Sequence, residues 1–138
     1  MVETYRLEEI MGIESSSIEQ LTEAITYGLP KAALRATLKT IFLEPAEQTK
    51  FLYRVVPEAT FKRRQGRLSP AESERTERLA RVIATADFYL EDRAATREFL
   101  TNPHWKFAGK TPIEMSLSEL GARQVEELLA SIAFGLPA

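Results

Sequence analysis

The sequence predicts an all-α protein. Helix-start signals recur along its whole length, apolar residues repeat at helical rather than alternating spacing, and strand signals are scarce. A chain of 138 residues can bury a core of its own without disulfides or metals.

The elements follow in order. Ser17 with Gln20 three positions on reads as an N-cap pair, and Ile18, Leu21 and Ile25 fall on one helical face. Gly28 is placed to end that helix and Pro30 to open the next, in which Leu34, Leu38 and Ile41 repeat near the helical period. Pro45, at a first-turn position, starts a helix through Phe51 and Leu52. After a break at Val55 and Val56, Pro57 opens another helix that ends near Gly66. Residues 18–66 thus read as four short helices.

Ser69, Pro70 and Glu72 combine an N-cap, a first-turn proline and a capping-box acid in four positions, a strong start signal. The helix they open is expected to bury Leu79, Val82, Ile83, Ala86 and Leu90, and to turn Glu74, Arg75 and Arg78 mostly to the other face. Asp92 can cap a short helix through Phe99 and Leu100, which must stop before Asn102-Pro103 because a residue preceding proline disfavours helical dihedrals. Thr111, Pro112 and Glu114 repeat the cap pattern. A last helix, capped by Ser118, is expected to bury Leu120, Val125, Leu128, Leu129 and Ile132 and to exit through a left-handed Gly135.

Composition excludes several classes of function. There is no cysteine, so disulfide frameworks, thiol catalysis and Cys-containing metal sites are absent. The single histidine, His104, supplies neither a metal pair nor a Ser-His relay, and no Gly-rich phosphate loop is present. The adjacent acids Glu91-Asp92 and Glu126-Glu127 diverge on helices and read as solvated surface. Neither catalysis nor a cofactor is expected. The N-terminus carries Glu3, Glu8 and Glu9 without a basic start followed by an apolar run, and no stretch approaches the roughly 20 apolar residues of a membrane span. A cytoplasmic protein without membrane contact is expected. Trp105, beside His104 and Phe107 in a loop, is expected to close the end of the bundle as a core residue; the rival reading is an exposed binding hot spot.

Net charge is −2, but residues 1–68 carry +1 and residues 69–138 carry −3, and the first part holds one basic cluster, Lys62, Arg63, Arg64 and Arg67. Residues 44–67 have the layout of a helix-turn-helix. The helix from Pro57 would be the recognition helix, projecting Thr60, Arg63 and Arg64 outward, with Ala59 and Phe61 toward the core. Arginine forks suit guanine edges and phosphates, and Lys62 and Arg67 suit phosphates. A basic stretch of this size also reads as an ordinary solvated face.

A family resemblance covers nearly the whole chain. Leu68-Ser69 with Glu72-Ser73, Arg78-Leu79-Ala80-Arg81, Ala94-Ala95, Leu100 with Asn102-Pro103, Thr111-Pro112, Gly121-Ala122, Val125 and Gly135 occur in the order and spacing of the toxin-binding domain of the Xre/MbcA/ParS antitoxins. Residues 18–67, with Gly28-Leu29-Pro30 and the basic helix, resemble that family's Xre-like helix-turn-helix domain. Departures are Leu90 where glycine is common, Phe99 in place of tryptophan, Phe107-Ala108-Gly109 in place of Leu-Gly-Gly, and Met115-Ser116 in place of a more apolar pair.

The resemblance implies an Xre-like helix-turn-helix bundle over residues 1–67 and a small helical toxin-binding domain over 68–138. It implies the antitoxin of a type II toxin-antitoxin system, with a RES-type partner toxin that consumes NAD by degrading it or by transferring ADP-ribose. It further implies that the C-terminal tail, Phe134, Gly135, Leu136, Pro137 and Ala138, enters the toxin's NAD cleft. Burial of Phe134 and Leu136 yields roughly 1.5 to 3 kcal/mol each before ordering costs, too little for a stable complex. Exposed positions of the last helix, Arg123, Glu127 and Ser131, are therefore expected to widen the interface. The helix-turn-helix would repress the pair's own operator as a homodimer. The rival readings are a stand-alone helix-turn-helix regulator whose C-terminal half dimerises, and an adaptor scaffold.

Overall fold

A computed structural model of the chain describes residues 4–14 and 17–135. The described residues form nine α-helices and a short 3-10 turn, with no strand. In chain order the helices are α1 Thr4–Met11, α2 Ile18–Tyr27, α3 Lys31–Ile41, α4 Pro45–Val55, α5 Glu58–Arg63, α6 Pro70–Leu90, α7 Arg93–Thr101, α8 Pro112–Met115 and α9 Glu119–Ala133. The 3-10 turn, Trp105–Phe107, lies between α7 and α8.

The caps that start these helices are those written in the sequence. Ser17 Oγ accepts the Gln20 N–H, Asp92 accepts that of Ala95, and Ser118 that of Gly121. Reciprocal capping boxes join Ser69 to Glu72 and Thr111 to Glu114. Each satisfies backbone donors that a helix start would otherwise leave unpaired.

The 21-residue α6 is the axis of the molecule. It packs against α1, α2, α3, α4, α7 and α9, which is why its middle, Leu79 through Ala86, is buried on nearly every face. Such a helix has little amphipathic contrast because both sides are covered. Helix α1 was not among the elements expected from the sequence. Leu7, Ile10 and Met11, at helical spacing, seat it against α3 and α6.

Between α2 and α3 the chain meets the segment before α6. Leu68 N–H donates to the Leu29 carbonyl at 2.8 Å, Lys31 N–H to that of Gly66 at 2.9 Å, and the buried Ser73 Oγ accepts from Leu29 N–H at 2.8 Å. Pro30 and Arg67 form an isolated antiparallel bridge here. Gly28 has φ +110°, and a Cβ added to it would overlap the Leu68 carbonyl oxygen, so only glycine fits. The Gly28-Leu29-Pro30 and Leu68-Ser69 motifs are the two sides of this one contact.

Five residues depart from the burial their spacing suggests. Ile18 is 64% exposed, because it sits in the first turn of α2 ahead of the α6 contact made by Leu21. Leu120 is 63% exposed: five positions from the buried Val125, it is rotated about 140° away from the α6 face. Ile132 shares the face of Val125 but lies in the last turn of α9, near the end of α6, and is 38% exposed. Ala59 on α5 is exposed while Phe61 is buried, so α5 rests on the core by one residue. Leu90 is partly buried rather than core.

Candidate functional site

The structure leaves two surfaces that combine exposure with chemistry: the edge of α5, and α9 with the groove beside it.

The sequence places Thr60, Lys62, Arg63, Arg64 and Arg67 together, and the structure sorts them. Helix α5 ends at Arg63, so it carries only Thr60, Lys62 and Arg63; Arg64 is its C-cap and Arg67 lies in the bridge to Pro30. Lys62 Nζ donates to Glu58 at 2.6 Å, one turn back, and this pair holds the lysine pKa up. Arg64 reaches Glu72 through two bonds, Nε at 3.0 Å and Nη2 at 2.8 Å. Burial pushes the Glu72 carboxyl up, but hydrogen bonds from Arg64 and Ser69 outweigh it and hold it below the usual range. Arg67 donates to the Gly28 carbonyl at 3.0 Å and covers the Tyr27 ring at 4.4 Å. Arg63 is exposed, and no ion pair engages it. Of the four basic residues, Arg63 is thus the one held by no carboxylate, carbonyl or ring among the described residues.

The second surface begins with how α9 is seated. Its buried Ala122, Val125, Leu128 and Leu129 face α6, and Gly121 lets α8 approach so closely that a Cβ there would overlap the Met115 carbonyl oxygen. Polar clamps from α6 fix the register. Arg78 donates to the Leu117 carbonyl at 2.9 Å and to Glu119 at 3.2 Å; Arg81 reaches Glu119 at 3.1 Å and Glu126 at 3.5 Å; Thr85 donates to Glu126 at 3.0 Å. Burial raises the Glu119 carboxyl, yet Arg81 and Arg78 outweigh it and bring it down; for Glu77, burial wins over Arg81 and the carboxyl is raised. Two sequence expectations are corrected here. Arg78 is not a solvent-facing charge, and Glu126 is a clamp residue rather than free surface. Both corrections depend on partners about 40 positions away in the chain.

Between α9, α8 and the 3-10 turn lies an open groove of about 300 Å³, lined by Lys106, Phe107, Met115, Gln124, Glu127, Leu128 and Ser131. Glu127 and Ser131, predicted as interface positions, line it. Arg123, one turn before Glu127, is exposed outside it. Trp105 is 73% exposed at the same turn, which overturns its expected place in the core. Phe107 fills that place instead, and Trp105 stacks on His104 with ring centroids 5.9 Å apart. His104 Nδ1 accepts the Lys106 N–H and so caps the turn.

At its far end α9 runs into an aromatic cluster. Phe134, 73% exposed, meets Tyr89 edge-on at 6.3 Å, and Tyr89 meets Phe88 at 5.1 Å. Gly135 has φ +69°, the left-handed exit expected of it. Leu136, Pro137 and Ala138, assigned to the tail, lie outside the described residues.

An ion pair between α4 and α8 has no signature in the sequence. Arg54 of α4 donates to Glu114 of the α8 capping box at 2.6 Å. The Thr111 backbone N–H and then Arg54 pull the Glu114 carboxyl down to about 2. No helix among the described residues is long and apolar enough to cross a membrane.

Comparison with known proteins covers both surfaces. Residues 20–81 match the family model of the antitoxin Xre-like helix-turn-helix domain, and residues 85–135 that of the antitoxin Xre/MbcA/ParS C-terminal toxin-binding domain. A curated protein of Pseudomonas putida (strain KT2440) named antitoxin Xre is 31% identical over 134 residues, 94% of this chain and 82% of that protein. Helix α6 carries the end of the first matched region and the start of the second.

Proposed function

The chain belongs to the Xre/MbcA/ParS antitoxin family, and on that premise we propose that it neutralises a RES-type, NAD-consuming toxin by gripping it with α9 and plugging it with residues 134–138. The observation that carries this reading is the continuity of the C-terminal end. Ser131, in the groove wall, lies one turn before an exposed Phe134 and a left-handed Gly135, so the helix that carries the groove wall ends in an exposed aromatic residue and a helix-terminating glycine. In this reading Glu127 and Ser131 meet the toxin in the groove, Arg123 meets it on the adjoining face, and Phe134, Gly135, Leu136, Pro137 and Ala138 occupy its NAD cleft. The protein acts by binding, not by catalysis.

The test is deletion of residues 134–138, with the toxin's NAD consumption and complex formation both measured. The expected result is restored toxin activity with a weakened but detectable complex. A truncated protein that still neutralises fully would overturn the plug.

A second role is supported by the exposed Arg63 on α5. The helix-turn-helix α4–α5 of residues 1–67 represses the pair's own operator as a homodimer, with Thr60 and Arg63 toward base edges, while Lys62, Arg64 and Arg67 would reach phosphates only by exchanging their present partners. Residues 68–138 carry the toxin contact.

A further inference from the structure

The recognition helix is poorly supplied with uncommitted charge. Glu58 holds Lys62, Glu72 holds Arg64, and Arg67 is drawn onto Tyr27 and the Gly28 carbonyl. A helix-turn-helix derives most of its affinity from phosphates, which cations supply. The neighbouring α3 makes up the shortfall. Its sequence, KAALRATLKTI, places Lys31, Arg35 and Lys39 one turn apart on one stripe and contains no acid.

Two of these cations are fixed against α5 itself. Lys31 Nζ stands 4.3 Å from the centroid of the Phe61 ring and donates to the Arg64 carbonyl at 3.2 Å, and the Arg35 guanidinium carbon stands 5.0 Å from the same centroid. Phe61 is the buried anchor of α5, between Thr60 and Lys62. Any element seated against this ring is therefore placed beside α5, the helix read as entering the major groove of DNA. Neither Lys31 nor Arg35 forms an ion pair among the described residues. Lys31 is half-buried and tied to the Arg64 carbonyl. Arg35 is exposed, and its contact is with the ring. A cation over a ring engages the plane of the guanidinium and leaves its five N–H donors for an acceptor.

We propose that Arg35 is a phosphate-binding residue of the nucleic-acid interface, so that the interface is a two-helix surface of α3 and α5 rather than α5 alone. This rests on the reading of α4–α5 as a DNA-binding helix-turn-helix. A phosphate contact carries no sequence information, so Arg35 would act on operator and random duplex alike, whereas Arg63 would act on the operator preferentially.

The experiment measures binding of the full chain to two duplexes over a range of salt: the promoter fragment upstream of its own gene, and a random sequence of equal length. The variants are Arg35→Gln, Arg35→Lys and Arg63→Ala, with thermal melting of each to confirm the fold. For Arg35→Gln we expect the slope of log affinity against log salt to fall by about 0.9 on both duplexes, with toxin binding unchanged. Arg35→Lys should keep the slope, since the charge remains. Arg63→Ala should lose preference for the promoter. An Arg35→Gln protein with wild-type slope, alongside a defective Arg63→Ala protein, would overturn the Arg35 assignment and leave the helix-turn-helix reading standing. Wild-type protein that binds neither duplex would overturn both.

Discussion

On α5, carboxylates cover cations: Glu58 takes Lys62 and Glu72 takes Arg64, so a patch of four basic residues presents less charge than its sequence suggests. On α9 the polar partners do the opposite. Arg78, Arg81 and Thr85 draw Glu119 and Glu126 inward as clamps, and the surface left facing outward at the helix end is apolar and aromatic, with Phe134, Ile132 and Phe88 uncovered. Charge counted along a chain is not charge available to a partner. Likewise, apolar residues counted into a core can be the ones left outside. The groove beside α9 is mixed, with Lys106, Gln124, Glu127 and Ser131 lining it together with Phe107, Met115 and Leu128.

The difference can be broken most forcefully at the seat of α9. Leu129 is fully buried between α9 and α6, so Leu129→Ala should cost about 2 to 5 kcal/mol in denaturant unfolding. Because α6 also supports α1 to α4, the loss should appear as one cooperative transition. Two separated transitions would show instead that the halves melt independently.

Acid should act next, at three seams together. Glu72 joins α6 to the end of α5, Glu114 joins α8 to α4, and Glu119 joins α9 to α6. All three carboxyls titrate below their ordinary range, Glu114 at about 2. A carboxyl whose pKa is lower in the folded state stabilises the fold above its unfolded pKa, near 4.3, and loses that contribution as pH falls toward the folded value. The melting temperature should therefore be level above about pH 5 and decline between there and about pH 2. Glu114→Gln should make that decline shallower, and an unchanged acid limb would remove Glu114 from the seam.

The smallest of these effects sharpens the comparison on the α5 side. Glu72→Gln keeps the capping box but removes the charge that holds Arg64, and should cost about 1 to 2 kcal/mol. It should also release a cation onto the α5 edge and steepen the salt dependence of duplex binding. Lower stability with an unaltered salt slope would mean that Arg64 remains tied down without its partner.

Much of the fold is legible residue by residue. Ser17, Ser69, Asp92, Thr111 and Ser118 start their helices as their side-chain chemistry requires, prolines stand at or just before first turns, and Gly135 takes the left-handed exit. These are local facts: a cap reaches a donor two or three positions on, and a helical face repeats within a few residues. Leu79, Val82, Ile83 and Val125 are buried as their period demands.

What the chain order could not decide is what meets what. Arg78 finds its acceptors 39 and 41 positions away, Arg54 finds Glu114 at 60, and Arg35 stands over a ring contributed by another helix. Trp105 is outside and Phe107 inside, although both occupy the same 3-10 turn, because packing beneath the turn accepts one of them. Where helices begin, where they end and which face each can bury follow from neighbours along the chain. Which charges remain uncommitted and which apolar groups remain uncovered is set by packing, since exposure and pairing belong to elements that meet across long separations in sequence.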